Sequence, residues 1–334
     1  MKRSLWLVTG ALVVALLGGC GGSGPTTGGS DQAPAPATVG TDQNTGQKTT
    51  AGTKQTSYPL TLKDATGTAY TFAKAPERIV STSPAETEIL FALGLGDRVV
   101  AVSDYDDYPE EAKAKPKVGG IVNPNEEAII AQQPDLVITG ISMQDQVAEK
   151  LRSLGLVVWK TNPRTTEDIL NNILLFGQIT NRQEQAETLV AQMKEDIQRV
   201  KNAVQDVKPN ERKKVYVEFA PGWTVGKGEF MDELITLAGG VNIANDMEGW
   251  NPISEEKVLN EDPDVILYAS GVTDDKSGQT LEQIIRKRSG WDKITAVRDQ
   301  RIVGVDQNVL NRPGPRITQG LYEVAKAIYP DRVK

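Results

Sequence analysis

Arg182–Val207 reads RQEQAETLVAQMKEDIQRVKNAVQDV, a long stretch with no proline and no glycine. Ala186, Leu189, Met193, Ile197, Val200 and Val204 recur at spacings of three and four. That period lays one apolar stripe along one amphipathic helix. At about 1.5 Å per residue the helix runs on the order of 40 Å, the width of a small domain. Before it, the apolar runs Arg78–Thr82, Val99–Val102, Leu136–Thr139 and Val157–Trp159 alternate with helical patterns at Pro84–Leu93 and Gln144–Leu154. After it, Val215–Phe219, Val265–Tyr268 and Ile302–Val305 alternate with Phe230–Ala238, Leu281–Arg288 and about Arg316–Ile328. Strands alternating with helices imply βαβ units and mostly parallel sheets. The expected fold is therefore α/β: two lobes, residues 58–181 and 208–334, with central parallel sheets. One backbone helix over 182–207 joins them as a rigid strut that limits closure.

Local signals refine this plan. Pro59–Phe72 alternates apolar and polar residues around Asp64-Ala65-Thr66-Gly67, a hairpin pattern. Ser83-Pro84-Ala85-Glu86 has the spacing of a capping box with proline at the first helical position.

Composition excludes much. The chain has 334 residues, 39% hydrophobic and 24% charged, enough for a core in each of two lobes. A net charge of -7 argues against nucleic acid as a partner. Histidine is absent, which removes Ser-His-Asp and Cys-His catalysis, His-ligated zinc and His-ligated haem. The lone cysteine, Cys20, allows no intrachain disulfide.

The N-terminus accounts for that cysteine. Lys2 and Arg3 precede an uncharged apolar run, Leu5–Leu17, of signal-peptide length and too short to span a bilayer. Leu17-Gly18-Gly19-Cys20 follows and resembles the bacterial lipobox, which implies a signal peptide over 1–19 and diacylglycerol on Cys20. Between Gly21 and Ser57 the only large aliphatic residue is Val39. Such a segment buries too little to order itself, so 20–57 is expected to be a tether outside the cytoplasm.

One internal repeat carries functional information. Asn125-Glu126-Glu127-Ala128-Ile129-Ile130-Ala131-Gln132-Gln133-Pro134-Asp135-Leu136-Val137-Ile138 is matched by Ser254-Glu255-Glu256-Lys257-Val258-Leu259-Asn260-Glu261-Asp262-Pro263-Asp264-Val265-Ile266-Leu267. Asn125 and Ser254 are good N-caps, and each glutamate pair occupies a first helical turn. One such pair is usually just helix-stabilising. Two, one per half, put equivalent carboxylates on the two lobes, suited to two basic sockets on a two-fold partner.

These motifs resemble the helical-backbone substrate-binding proteins of ABC importers for cobalamin, iron-siderophores and haem. Arg78–Leu90, Asp104–Pro109 and the two repeats carry the likeness, over roughly Glu77–Pro330. It implies a ligand cleft between the lobes. It also implies that Glu127 and Glu256 dock on arginines of a dimeric permease with its ATPase subunits. The protein is then a monomeric, lipid-anchored, extracytoplasmic binder, not an enzyme, with no metal or cofactor of its own.

The cobalamin-binding branch is the nearest match. It assigns Tyr105, Trp223, Trp250 and Arg312 to ligand contact, while Ile121 stands where that branch can have a further tryptophan. Asp306 is displaced from its matching position. Flat aromatic faces suit a macrocycle. Asp104, Asp106 and Asp107 lack the glycine and distal glutamate of a calcium loop and read as a solvated cluster. The alternatives are an iron-siderophore, or haem held by a Tyr or Met axial ligand. More remote are a hydrolase using Glu127 and Glu256 as an acid/base pair, and an adhesive surface lipoprotein.

Overall fold

Short, β-branched runs bounded by turn residues become strands throughout the first half. β1 (Leu60–Lys63) and β2 (Ala69–Phe72) pair antiparallel. β3 (Ile79–Ser81), β4 (Val99–Val102), β5 (Leu136–Thr139) and β6 (Val158–Lys160) form an all-parallel sheet in the order β4-β3-β5-β6. The computed structural model of the chain describes residues 54–333. The hairpin is fastened to this lobe, because Arg152 pairs with the buried Asp64 and Tyr70 Oη donates to the Val158 carbonyl at 2.7 Å.

The second half repeats the plan. β7 (Lys214–Glu218), β9 (Val241–Asn242), β11 (Val265–Ser270) and β12 (Ile302–Asp306) make a parallel sheet in the order β12-β11-β7-β9, if β8 (Trp223–Val225) and β10 (Trp250–Pro252) are set aside. β8 and β10 pair antiparallel, Trp250 opposite Val225 and Pro252 opposite Trp223. This ribbon lies outside the sequence reading, which registers neither short strand. In the main sheet Leu267 sits between Val217 and Val303, each strand in register with its neighbours.

Between the lobes runs the helix Gln183–Val204. At about 1.5 Å per residue it is roughly 33 Å long. A helix missing from the sequence reading, Thr166–Thr180, precedes it and packs along it. Thr165 and Asp168 form its capping box, and left-handed Asn181 turns the chain into the strut. Glycine at 177 looks like a breaker but is what lets the helices touch. A Cβ there would stand 2.5 Å from that of Ala186.

The strut's stripe, Ala186, Val190, Met193, Val200 and Val204, is buried in one continuous core. That core extends from Ile79 and Phe176 in the first lobe to Val217, Leu267 and Val324 in the second. Smaller clusters around Val137 and around Ile266 cover the outer faces of the two sheets. Lys54 pairs with Glu187, and Thr56 bonds to Asn181 and the Gln178 carbonyl. Residues 54–57, assigned by sequence to the tether, are thus held against the helix pair. Cys20 and the expected signal peptide lie outside the described residues. No described helix is long and apolar enough to cross a membrane.

Candidate functional site

Parallel sheets leave their open crevice outside the carboxyl ends of the strands. Here both sheets do so toward one cleft. Ser83–Glu86 follow β3, Asp104, Tyr105 and Asp107 follow β4, and Ile141 and Ser142 follow β5. From the other lobe come Gln307, Asn308, Asn311, Arg312 and Pro313, after β12. The cavity they line is about 500 Å³. A second one, about 330 Å³, shares Ile141, Ser142 and Asn311 and continues to Phe219, Phe230 and Trp250.

Its wall is aromatic. Trp250 meets Phe219 edge-on at 4.9 Å and Phe230 at 5.6 Å. The β8–β10 ribbon holds Trp250 half-buried. Tyr105 lines the cleft and is 61% exposed, and Ile121 lines the same cavity. Trp223 lies on the other strand of the ribbon, 42% exposed, and lines neither cavity.

Arg312 lines the cleft too, but its guanidinium is engaged. Nη1 donates to Glu88 at 3.1 Å and to Asp107 at 2.6 Å. Arg316 binds the same Glu88 through Nε at 2.8 Å and Nη2 at 2.6 Å, and stands 4.0 Å above the Tyr108 ring. Glu88 belongs to the first lobe and both arginines to the second, so the cluster clamps the lobes together. A second interlobe pair, Arg164 with Glu229 at 2.6 Å, lies near Trp250. Burial pushes the Glu229 carboxyl up, with Arg164 and then Trp250 pulling it back.

Two sequence readings are corrected here. Ser83 makes no capping bond and Glu86 does not close a box. Glu86 instead turns inward, 1% exposed, and accepts from the Thr161 hydroxyl at 2.5 Å. Burial pushes its carboxyl up, tempered by Ser83 and Thr161. Asp104–Asp107 is a solvated cluster only in part, since Asp104 is exposed. Asp106 is buried and accepts from Ser103, and Asp107 is held by Arg312. Asp306 caps the short helix Gln307–Leu310. Among the described residues there is no group of acidic side chains fit to hold a metal.

The sequence repeat is a structural repeat. Asn125 accepts from Ala128 N at 3.0 Å and Ser254 from Lys257 N at 3.2 Å. The helices Glu126–Ala131 and Glu255–Glu261 are followed by left-handed Gln133 (φ 49°) and Asp262 (φ 44°), each just before its proline. The following Asp135 accepts from Arg78 N, and Asp264 from Lys214 N, so each ties its own strand to a neighbour. Each helix runs down to the start of β5 or β11 and so begins at the cleft end of its sheet. Glu126 pairs with Lys150 and Glu255 with Arg288. Glu127 and Glu256 are exposed and have no ion-pair partner among the described residues.

Known proteins share this architecture. A sequence profile of periplasmic binding proteins matches residues 79–309. The chain is 34% identical over 284 residues to an ABC transporter substrate-binding lipoprotein, YvrC, of Bacillus subtilis, covering 83% of this chain and 88% of that one. It is 30% identical over 279 residues to a cobalamin-binding protein of Halobacterium salinarum, covering 82% of this chain and 75% of that one. The solved structure of the ABC-type Fe3+-hydroxamate transport system from Saccharomonospora viridis matches with a TM-score of 0.68. Its identity is 27%, with 82% of this chain and 100% of that one covered.

Proposed function

Since the chain belongs to the periplasmic binding protein family, as a substrate-binding protein of an ABC transporter, we propose that it captures cobalamin or a related corrinoid in the interlobe cleft. One observation carries the choice. The cleft joins an aromatic wall to a floor of oxygen acceptors, and Arg312, the single cation among its lining residues, is already paired with Glu88 and Asp107. A corrin offers a broad apolar ring edged with neutral carboxamides, which such a site suits. Haem carboxylates and ferric catecholates call for free cations. A neutral ferric hydroxamate is the second reading, favoured by the likeness to the Saccharomonospora protein.

On this reading Tyr105 and Trp250 supply ring contacts, Arg312 a polar contact at the periphery, and Trp223 a rim position. Glu127 and Glu256 dock the loaded protein on a permease dimer with its ATPase subunits, and diacylglycerol on Cys20 keeps it at the membrane. Cys20→Ala should then release the protein into the soluble fraction. Calorimetry with cyanocobalamin tests the ligand. A Kd below about 1 μM, near -8 kcal/mol, is expected. Binding no tighter than about 1 mM, beside tight binding of a ferric hydroxamate, would transfer the assignment to the second reading.

A further inference from the structure

Two acceptors beside the cleft have no partner. Glu86 Oε1 is committed to Thr161, while Oε2 is buried and, although the Ser83 hydroxyl lies close by, accepts no well-formed hydrogen bond. Asn311 Oδ1, from the opposite lobe, is likewise buried and unbonded. Both residues line the same cavity. Buried polar atoms in native proteins are almost always satisfied, so an orphan at a ligand site points to a group the ligand brings. Gly140 preserves the space: a Cβ there would stand 2.6 Å from Glu86 Oε2 and 2.5 Å from Ser83 Oγ.

We propose that Glu86 and Asn311 form a donor-reading subsite, one acceptor from each lobe, that takes primary carboxamide N–H groups of the bound corrinoid. The inference rests on the cobalamin reading and sharpens it. An amide NH2 carries two hydrogens and no negative charge, so it can donate to such acceptors without repulsion. Where Glu86 is ionised, a ligand carboxylate at the same place would face it with nothing to donate. Occupying the two acceptors together also bridges the lobes.

The test uses the full chain in detergent and three probes: cyanocobalamin, its separated monocarboxylic acids, and the amide-free heptamethyl ester of cobyrinic acid. Wild type should prefer cyanocobalamin to the ester by about a hundredfold, since each unmet polar group costs about tenfold. Glu86→Gln keeps the shape and the Thr161 bond but turns Nε2, a donor, toward the ligand. It should lose about tenfold for cyanocobalamin and gain for at least one monocarboxylic acid. A purely structural residue would not reverse that preference. Asn311→Leu, checked for an unchanged melting temperature, should also lose about tenfold. Equal cyanocobalamin binding by wild type and both variants, or equal losses for amide and ester probes, would overturn the subsite and leave the cobalamin reading intact. Wild type that fails to bind cyanocobalamin at all would overturn the reading, and the subsite with it.

Discussion

Replacing Glu88 with Gln keeps the side chain's shape and withdraws its charge from two arginines. The side chain is 1% exposed and accepts two bonds from Arg316 and one from Arg312. Breaking a fully buried ion pair costs about 3–5 kcal/mol. Three features reduce that here. The arginine side chains stay 15% and 20% exposed, Arg312 keeps Asp107, and Arg316 keeps the Tyr108 ring. The glutamine oxygen also still accepts one bond, worth about 1 kcal/mol. A net loss of about 2 kcal/mol remains, which lowers Tm by about 4–8 °C for a body of this size. Thermal and guanidinium unfolding of Glu88→Gln, Arg316→Gln and the double variant measure it. The cycle should return a coupling of about 1–3 kcal/mol. If Glu88→Gln melts within about 1 °C of wild type, or the coupling is nil, the cluster does not clamp the lobes.

Three further outcomes follow from the same geometry. Glu127→Ala with Glu256→Ala should leave Tm and cyanocobalamin affinity almost unchanged, since exposed charges contribute under about 1 kcal/mol, while uptake collapses. Persistent uptake would leave the repeat merely structural. Burial raises the carboxyls of Glu86 and of Asp106, the ionisable group that adds to the rise at Glu86. The native state therefore holds protons that the unfolded chain releases. Their contribution is complete below the unfolded carboxylate pKa of about 4 and is lost as pH rises through the native values. Glu86→Gln should accordingly be more stable than wild type at about pH 7 and gain nothing near pH 4 in urea titrations; a gain independent of pH contradicts the assignment. Gly177→Ala forces a methyl onto Ala186 and should cost about 1–3 kcal/mol, read in the same titrations.

The α/β fold was legible because it depends on period. The stripe from Ala186 to Val204 and the apolar runs at Leu136 and Val265 are local patterns that chain neighbours cannot disguise. The repeat was legible for the same reason, down to caps that form as expected at Asn125 and Ser254. What local pattern conceals is choice of partner. Arg312 reads as a cleft residue, and what the sequence hides is that Glu88, 224 residues earlier in the chain, also holds it. Glu86 has the spacing of a capping box, yet Thr161, on another strand's exit, draws it inward. Trp250 and Trp223 look alike in sequence, and only the pairing of β10 with β8 puts one against Phe219 and leaves the other exposed. The signal available in advance was a carboxylate at position 86 in a first turn that proline already starts well.

The core that runs unbroken from Ile79 through Met193 to Val324 has a bearing on how the protein comes apart. Neither lobe owns its half of the strut, since Ala186 and Met193 lie in the same apolar mass as Val200 and Val204. A ribosome that has released only the first lobe has produced a surface still missing its cover, so stable structure waits for the distal helix Ile317–Ile328 to emerge. Amides along Gln183–Val204 should be the slowest of all to exchange with deuterium, opening only when the whole body does. Swapping a lobe with that of a relative would likewise have to carry the strut's facing residues with it, because the seam between lobes is a shared interior and not a surface.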